Sequence, residues 1–279
     1  MGKQSNFYST YKRIDISLAI IKLCGNIMLP HIFYSYLKRV AKELVKVLLG
    51  KKRGDMTKGI FITATGTDVG KTYISALVVK KLREIGLNCG YFKPALSGTE
   101  VIDGKLVPGD CDYVLKTAGI DAEPMDYVSY VFKTAVSPHL ASEIEKNPIK
   151  IEKIKSDFEK IKKDYDYLVV EGAGGIICPF NLGKDKLMLP DVIKALGLDI
   201  LVVASASLGT INSTVLTIEY AKQQGINVKG IILNNYDETD FMQRDNKIQV
   251  EKLTGIKVVA TVKRGDTTIN DLSNLFIEV

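Results

Sequence analysis

Between residues 57 and 262, apolar runs of strand length alternate with stretches of helical spacing. GIFITAT (59–65) opens the series as a run rich in branched residues. Ile74, Leu77, Val78, Leu82 and Ile85 recur at three- and four-residue intervals, which predicts a helix over 72–85 stopped by Gly86. CGYF (89–92), YLVV (167–170), ILVVA (200–204), GIILN (230–234) and KVVATV (257–262) predict further strands. Ile151, Ile154, Phe158 and Ile161 mark another helix. The strand runs have lost the polar alternation of half-exposed strands, as strands covered on both faces do. The expected fold is α/β, a doubly wound, mostly parallel sheet with helices on both faces.

Residues 1–55 follow another pattern. They are expected to form a basic N-terminal extension, partly helical or disordered, ahead of a domain spanning 56–279. ISLAIIKLCGNIML (16–29) is broken by Lys22, Gly25 and Asn26 and is too short for a membrane span. It also lacks a small-residue cleavage site before Pro30. From Tyr36, the residues Leu37, Val40, Leu44, Val47 and Leu48 share one helical face, with lysines opposite. Two readings stand: a basic amphipathic helix resting on a membrane surface or a partner, or a loosely ordered extension preceding a start at Met56. KKRGD (51–55) reads as a linker.

Charge sharpens this division. The chain of 279 residues carries a net +6, but residues 1–55 hold eleven Lys/Arg against three Asp/Glu. The remainder holds 27 against 29 and is about neutral. No nucleic-acid partner is expected for the main domain, and any anionic surface concerns the extension alone. Cys24, Cys89, Cys111 and Cys178 are scattered and form no C-x-x-C; only two histidines, His31 and His139, are present. A disulfide framework, a zinc site and a His-based metal site are not expected, and a cytoplasmic location is.

ATGTDVGKT (64–72) lies between the first predicted strand and the first predicted helix, which is where a phosphate-binding loop belongs. The usual spacing G-x-x-x-x-G-K-[ST] would put its first glycine at Thr65, and the nearest glycine is Gly66. Gly70 lets backbone N–H groups turn toward an anion, and the helix starting near Lys71 adds its positive end. Lys71 supplies a charge for phosphates, and Thr72 a hydroxyl for Mg²⁺. Glu171 follows an apolar strand and is flanked by Gly172, Gly174 and Gly175, as a metal ligand or general base would be. PGDCD (108–112) offers Asp110 and Asp112, although taken alone it reads as a turn. In FKPALSG (92–98), Lys93 ends a strand before Pro94, where its ammonium could offset charge on a transferring phosphoryl group.

ATGTDVGKT, FKPALSG, SPH (137–139), VEGAGG (170–175) and SLGTIN (207–212) occur in an order and at spacings that resemble dethiobiotin synthetase, over residues 57 to about 262. The resemblance implies a P-loop NTPase-like fold with a lengthened loop, five residues separating its first position from Gly-Lys-Thr. That first position is Ala64, where relatives usually have glycine. An alanine methyl fits if the backbone there has negative φ. The implied activity is an ATP-dependent carboxylation and ring closure of 7,8-diaminononanoate with CO2, giving dethiobiotin, ADP and phosphate by way of a carbamate and a carbamic-phosphoric anhydride.

The same resemblance implies roles for individual residues. Lys71, Lys93 and Thr67 would be catalytic. Asp68, Val69, Gly70, Lys71, Thr72 and Asn234 would bind ATP, with Asn234 at the adenine. Ser97 would contact phosphate or carbamate, and Gly209, Thr210, Ile211 and Asn212 the substrate carboxylate, supplied by the neighbouring subunit of a homodimer. Thr72, Asp112 and Glu171 would hold Mg²⁺, with Asp110 as the alternative to Asp112. VKRGD (262–266) replaces a proline-containing stretch that often flanks the base. The competing reading is a surface-binding switch ATPase of the partitioning or cell-division type. Those proteins carry an extra lysine early in the loop, and residues 64–70 contain none.

Overall fold

The computed structural model describes residues 58–270 and 272. The chain divides into units 1–55 and 56–279, and all described residues belong to the second. The apolar run 16–29, the amphipathic stretch from Tyr36 and the linker 51–55 lie outside the described residues.

The elements run β1 (Lys58–Ala64), α1 (Lys71–Glu84), β2 (Cys89–Leu96), β3 (Glu100–Ile102), β4 (Lys105–Val107) and α2 (Gly109–Ala118). Then come β5 (Val128–Val131), α3 (Pro138–Ile144), α4 (Ile151–Ile161), β6 (Tyr167–Glu171), β7 (Pro179–Asn181) and β8 (Leu187–Met188). The last six are α5 (Leu189–Leu196), β9 (Asp199–Ser205), α6 (Thr210–Gln223), β10 (Val228–Asn234), α7 (Phe241–Thr254) and β11 (Val258–Val262). Seven strands form one sheet in the order β11-β10-β9-β1-β6-β2-β5, and every pairing in it is parallel. β3–β4 and β7–β8 are small antiparallel pairs beside it.

Strand alternation sends side chains to two cores. Ile60, Ile62 and Ala64 of β1, Tyr91 of β2 and Val169 of β6 pack on the side covered by α1 and α2. Phe61, Phe92, Leu168 and Val170 pack on the other, against α4, α5 and α6. The period of two then carries Lys93, two residues beyond Tyr91, and Glu171, two beyond Val169, onto the α1/α2 side. β1 is central, with β6, β2 and β5 on one flank and β9, β10 and β11 on the other. A reversal of this kind opens a crevice at the carboxyl ends of the strands.

Three local expectations change. β2 does not stop at Lys93 but continues through Pro94 to Leu96. Its pairing with β6 ends at Phe92 and Val170, and its tail pairs with β5. Neither run uses an amide at Pro94, so the proline breaks no ladder. β5 itself, VSYV, is four residues long at the sheet edge and gave no periodic signal. PGDCD is not a turn: Pro108 is the N-cap and Gly109 the first residue of α2.

Candidate active site

The loop after β1 is held from both sides. Ala64 pairs with Val203 of β9, is fully buried and is not among the positive-φ residues, so its methyl sits in the α1/α2 core without strain. Thr65 N–H donates to the Val203 carbonyl at 3.0 Å. Asp68 (φ 59°) and Gly70 (φ 92°) adopt left-handed backbone. Gly70 is the N-cap of α1, and no side chain caps that end. The first amides of α1 are therefore available to an anion. Lys71 folds back, its Nζ donating to the Gly66 carbonyl at 3.1 Å. Burial, and then the neighbouring Lys93 charge, hold Lys71 below the ordinary lysine pKa.

Beside the loop, three side chains converge on Glu171, which is fully buried at the end of β6. Its Oε1 accepts from Thr72 Oγ1 at 2.8 Å and from Lys93 Nζ at 2.6 Å. Its Oε2 accepts from the Tyr91 hydroxyl at 2.8 Å. Lys93 Nζ also lies 2.5 Å from Asp110 Oδ2 and donates to the Gly172 carbonyl at 3.3 Å. Burial acts to lower the Lys93 pKa, but the Glu171 and Asp110 charges overcome it and hold it above the ordinary value. Burial acts to raise Asp110, and the Lys93 charge and hydrogen bond bring it below the ordinary carboxylate value. For Tyr91, burial first and the Glu171 charge second push the phenol well up, which makes it the donor in its bond. Gly172 is needed for packing: a Cβ there would stand 2.9 Å from the Phe61 ring and 3.3 Å from Leu189.

These groups border a cleft of about 300 Å³. Thr67, Asp68, Gly70, Lys71, Thr72 and Lys93 line it, as do Ser97, Asp110 and Glu171. The structure brings Asp110, not Asp112, to this place. The two lie in the first turn of α2, and positions two apart on a helix face away from each other. Asp112 instead pairs with Lys116 at 2.7 Å on the outside of α2. Ser97 lines the cleft while its Oγ donates to the Val136 carbonyl at 2.6 Å. Val69 contributes its carbonyl, which accepts from Asn234 Nδ2 at 3.0 Å. Asn234 Oδ1 is buried without a partner, leaving an acceptor beside the loop. Gly209, Thr210, Ile211 and Asn212 form the start of α6 and do not line this cleft. VKRGD closes into a turn through Lys263 N–H and Asp266 Oδ2 at 2.8 Å. Tyr91 was missed from sequence, although its place two residues before Lys93 on a strand was the available signal.

Two carboxylates and a threonine hydroxyl gather here, with an ammonium standing between the carboxylates. Among the described residues, no cluster of three or more His, Cys, Asp or Glu side chains forms. A cation held here would draw further ligands from phosphates, as Mg²⁺ does with nucleotides and zinc does not require.

The profile of a family described as an AAA domain matches residues 58–271. A protein of Clostridium botulinum (strain 657 / Type Ba4) named ATP-dependent dethiobiotin synthetase BioD is 59% identical over 192 residues, covering 69% of this chain and 85% of that protein. The protein of the same name from the Loch Maree strain is 50% identical over 224 residues, covering 80% of this chain and 96% of its own. The chain belongs to the ATP-dependent dethiobiotin synthetase family. Among solved structures, this synthetase is similar to the MinC:MinD cell division protein complex of Aquifex aeolicus, at 15% identity over 78% of this chain and 84% of that one, TM-score 0.47. It is also similar to the septum site-determining protein MinD complexed with Mg-ADP from Pyrococcus horikoshii, at 18% identity over 75% and 82%, TM-score 0.46. Likenesses of that size carry no functional weight.

Proposed function

We propose that the chain uses ATP to carboxylate 7,8-diaminononanoate with CO2 and to close the resulting ring, giving dethiobiotin, ADP and phosphate. The observation that carries this reading is the meeting of Lys71, Lys93, Thr72, Asp110 and Glu171 around one cleft beside the carboxyl ends of β1 and β6, in a chain of this family. One amine of the substrate takes up CO2, loses a proton and becomes a carbamate. A carbamate oxygen attacks the γ-phosphorus of ATP, ADP departs, and a carbamic-phosphoric anhydride remains. The second amine attacks the carbonyl carbon, phosphate leaves with the bonding pair, and the cyclic urea forms.

Each step puts anions close together. Two anionic groups about 4 Å apart repel by roughly 4 kcal/mol at an effective dielectric of 20. Lys93 stands where it can counter that repulsion, while Lys71 and the α1 amides receive the phosphates. Thr67 and Ser97 line the same space and serve the phosphoryl and carbamate oxygens. Asn234 offers its free Oδ1 to adenine. Asp110, Glu171 and Thr72 would hold Mg²⁺, which neutralises phosphate charge when bound. Asp110→Asn should therefore lower kcat/KM about 100-fold. Asp112→Asn should cost only an exposed helix pair, about 0.5 kcal/mol, and leave turnover unchanged. Steady-state kinetics on the two variants separate the assignments, and the opposite ranking would return the ligand role to Asp112.

The enzyme is read as a cytoplasmic homodimer in which Gly209–Asn212 of one copy receives the substrate carboxylate bound to the other. Two features support this: that segment does not line the Lys93 cleft of its own chain, and the adjoining Leu208 is 84% exposed. Among the described residues no helix is long and apolar enough to cross a membrane. The deciding assay measures ATP hydrolysis with diaminononanoate and bicarbonate, singly and together. Hydrolysis should rise with both present, accompanied by dethiobiotin in the mass spectrum. A flat response would favour the switch-ATPase reading.

A further inference from the structure

The two oxygens of Glu171 meet different kinds of group. Its Oε1 meets the two cleft-lining groups Thr72 and Lys93, while Oε2 turns back into the protein and meets the Tyr91 hydroxyl. Tyr91 is fully buried among the residues of β1, β6, α1 and α2, and it is not part of the cleft wall. Thr72 and Lys93 line the cleft, where their bonds to Glu171 are open to exchange; Tyr91 lies outside it, and its bond to Glu171 is not. The last torsion of a glutamate is broad and roughly two-fold, so a buried carboxylate is oriented by its hydrogen bonds rather than by its own rotamer preference.

We infer that Tyr91 is a positioning residue: its phenol fixes Oε2 of Glu171 inside the sheet and thereby aims Oε1 at Thr72 and the cleft. The inference rests on the reading of Glu171 as a cation ligand and names the group that orients it. The strand supplies the precision. Tyr91 and Lys93 stand on the same face of β2, and the pairing of Tyr91 with Val169 and of Phe92 with Val170 sets the tyrosine just before Glu171 on β6. The ring is packed on all sides, so its hydroxyl has one place to be.

The test uses the full-length chain and a fluorescent ADP analogue. Its binding is titrated with Mg²⁺ and, separately, measured in EDTA. Tyr91→Phe should raise the Mg²⁺ concentration at half-saturation 10- to 100-fold, the usual effect of removing an outer-shell partner of a metal ligand. Its affinity for the analogue in EDTA should stay within twofold of wild type, which a general loosening of the site would not allow. An unchanged Mg²⁺ midpoint overturns the inference. Wild-type binding that ignores Mg²⁺ overturns the cation reading itself, and the inference with it. Should Tyr91→Phe be too unstable to titrate, the Mg²⁺ concentration that half-maximally raises its melting temperature in the presence of ADP decides. A midpoint at least 10-fold above that of wild type is expected; the wild-type midpoint would overturn the proposal.

Discussion

Lys93→Ala is expected to stop ring closure while leaving ADP affinity largely intact. The ammonium is 3% exposed and lies within 2.6 Å of Glu171 and 2.5 Å of Asp110. Removing one preorganised charge aimed at a developing anion typically costs 10²–10³ in kcat, about 3–4 kcal/mol of barrier. Dethiobiotin formation should therefore fall at least about 100-fold, measured by mass spectrometry at saturating substrates. A second consequence follows from the ion pairs. Truncating one member of a buried pair leaves the other charges uncompensated, at about 3–5 kcal/mol. For a domain of this size that is on the order of a 10 °C drop in melting temperature without metal. Mg²⁺, entering between the same carboxylates, should recover part of that drop by binding the folded state alone. Full activity in the variant would remove Lys93 from the chemistry.

Gly70→Ala should abolish useful nucleotide binding without unfolding the domain. Gly70 has φ 92° and ψ 31°, a left-handed conformation that costs an alanine roughly 1–2 kcal/mol. The new Cβ would also overlap the Asn234 side-chain amide. That amide cannot move freely: Asn234 is 4% exposed, and its Nδ2 is bonded to the Val69 carbonyl at 3.0 Å. Either the loop shifts off the amide or Asn234 leaves the loop, and both residues are read here as nucleotide contacts. A combined penalty near 3 kcal/mol corresponds to about a 100-fold loss of affinity. Calorimetric titration with Mg-ADP measures it. An affinity within twofold of wild type would show that phosphate binding does not depend on this loop conformation.

Much of the fold could be read from the chain because its signals are local. Strands covered on both sides must be apolar throughout, so six of the seven main strands stood out. The seventh, β5, is short and marginal, and only its neighbour β2 makes it a strand. Lys71, Thr72 and Glu171 were legible for a similar reason: each is fixed by a strand end or a helix start within a few residues. Asp112 was the wrong member of its pair to send to the cleft, because PGDCD shows two carboxylates without showing the helix that turns them apart. The partners of Lys93 were not legible at all. Asp110 lies 17 positions along the chain from it and Glu171 lies 78.

The sequence by itself determined the strand-loop-helix order, the phosphate-binding loop and the family, all of which are written in short stretches whose meaning survives outside the folded chain. Only the tertiary structure decided that Tyr91, Lys93, Glu171, Asp110 and Thr72 share one network. The physical reason is register. A parallel sheet sets β2 beside β6 at a particular offset, and α1 and α2 pack over the same face. The distances that make an ion pair or orient a carboxylate exist only after that packing is complete.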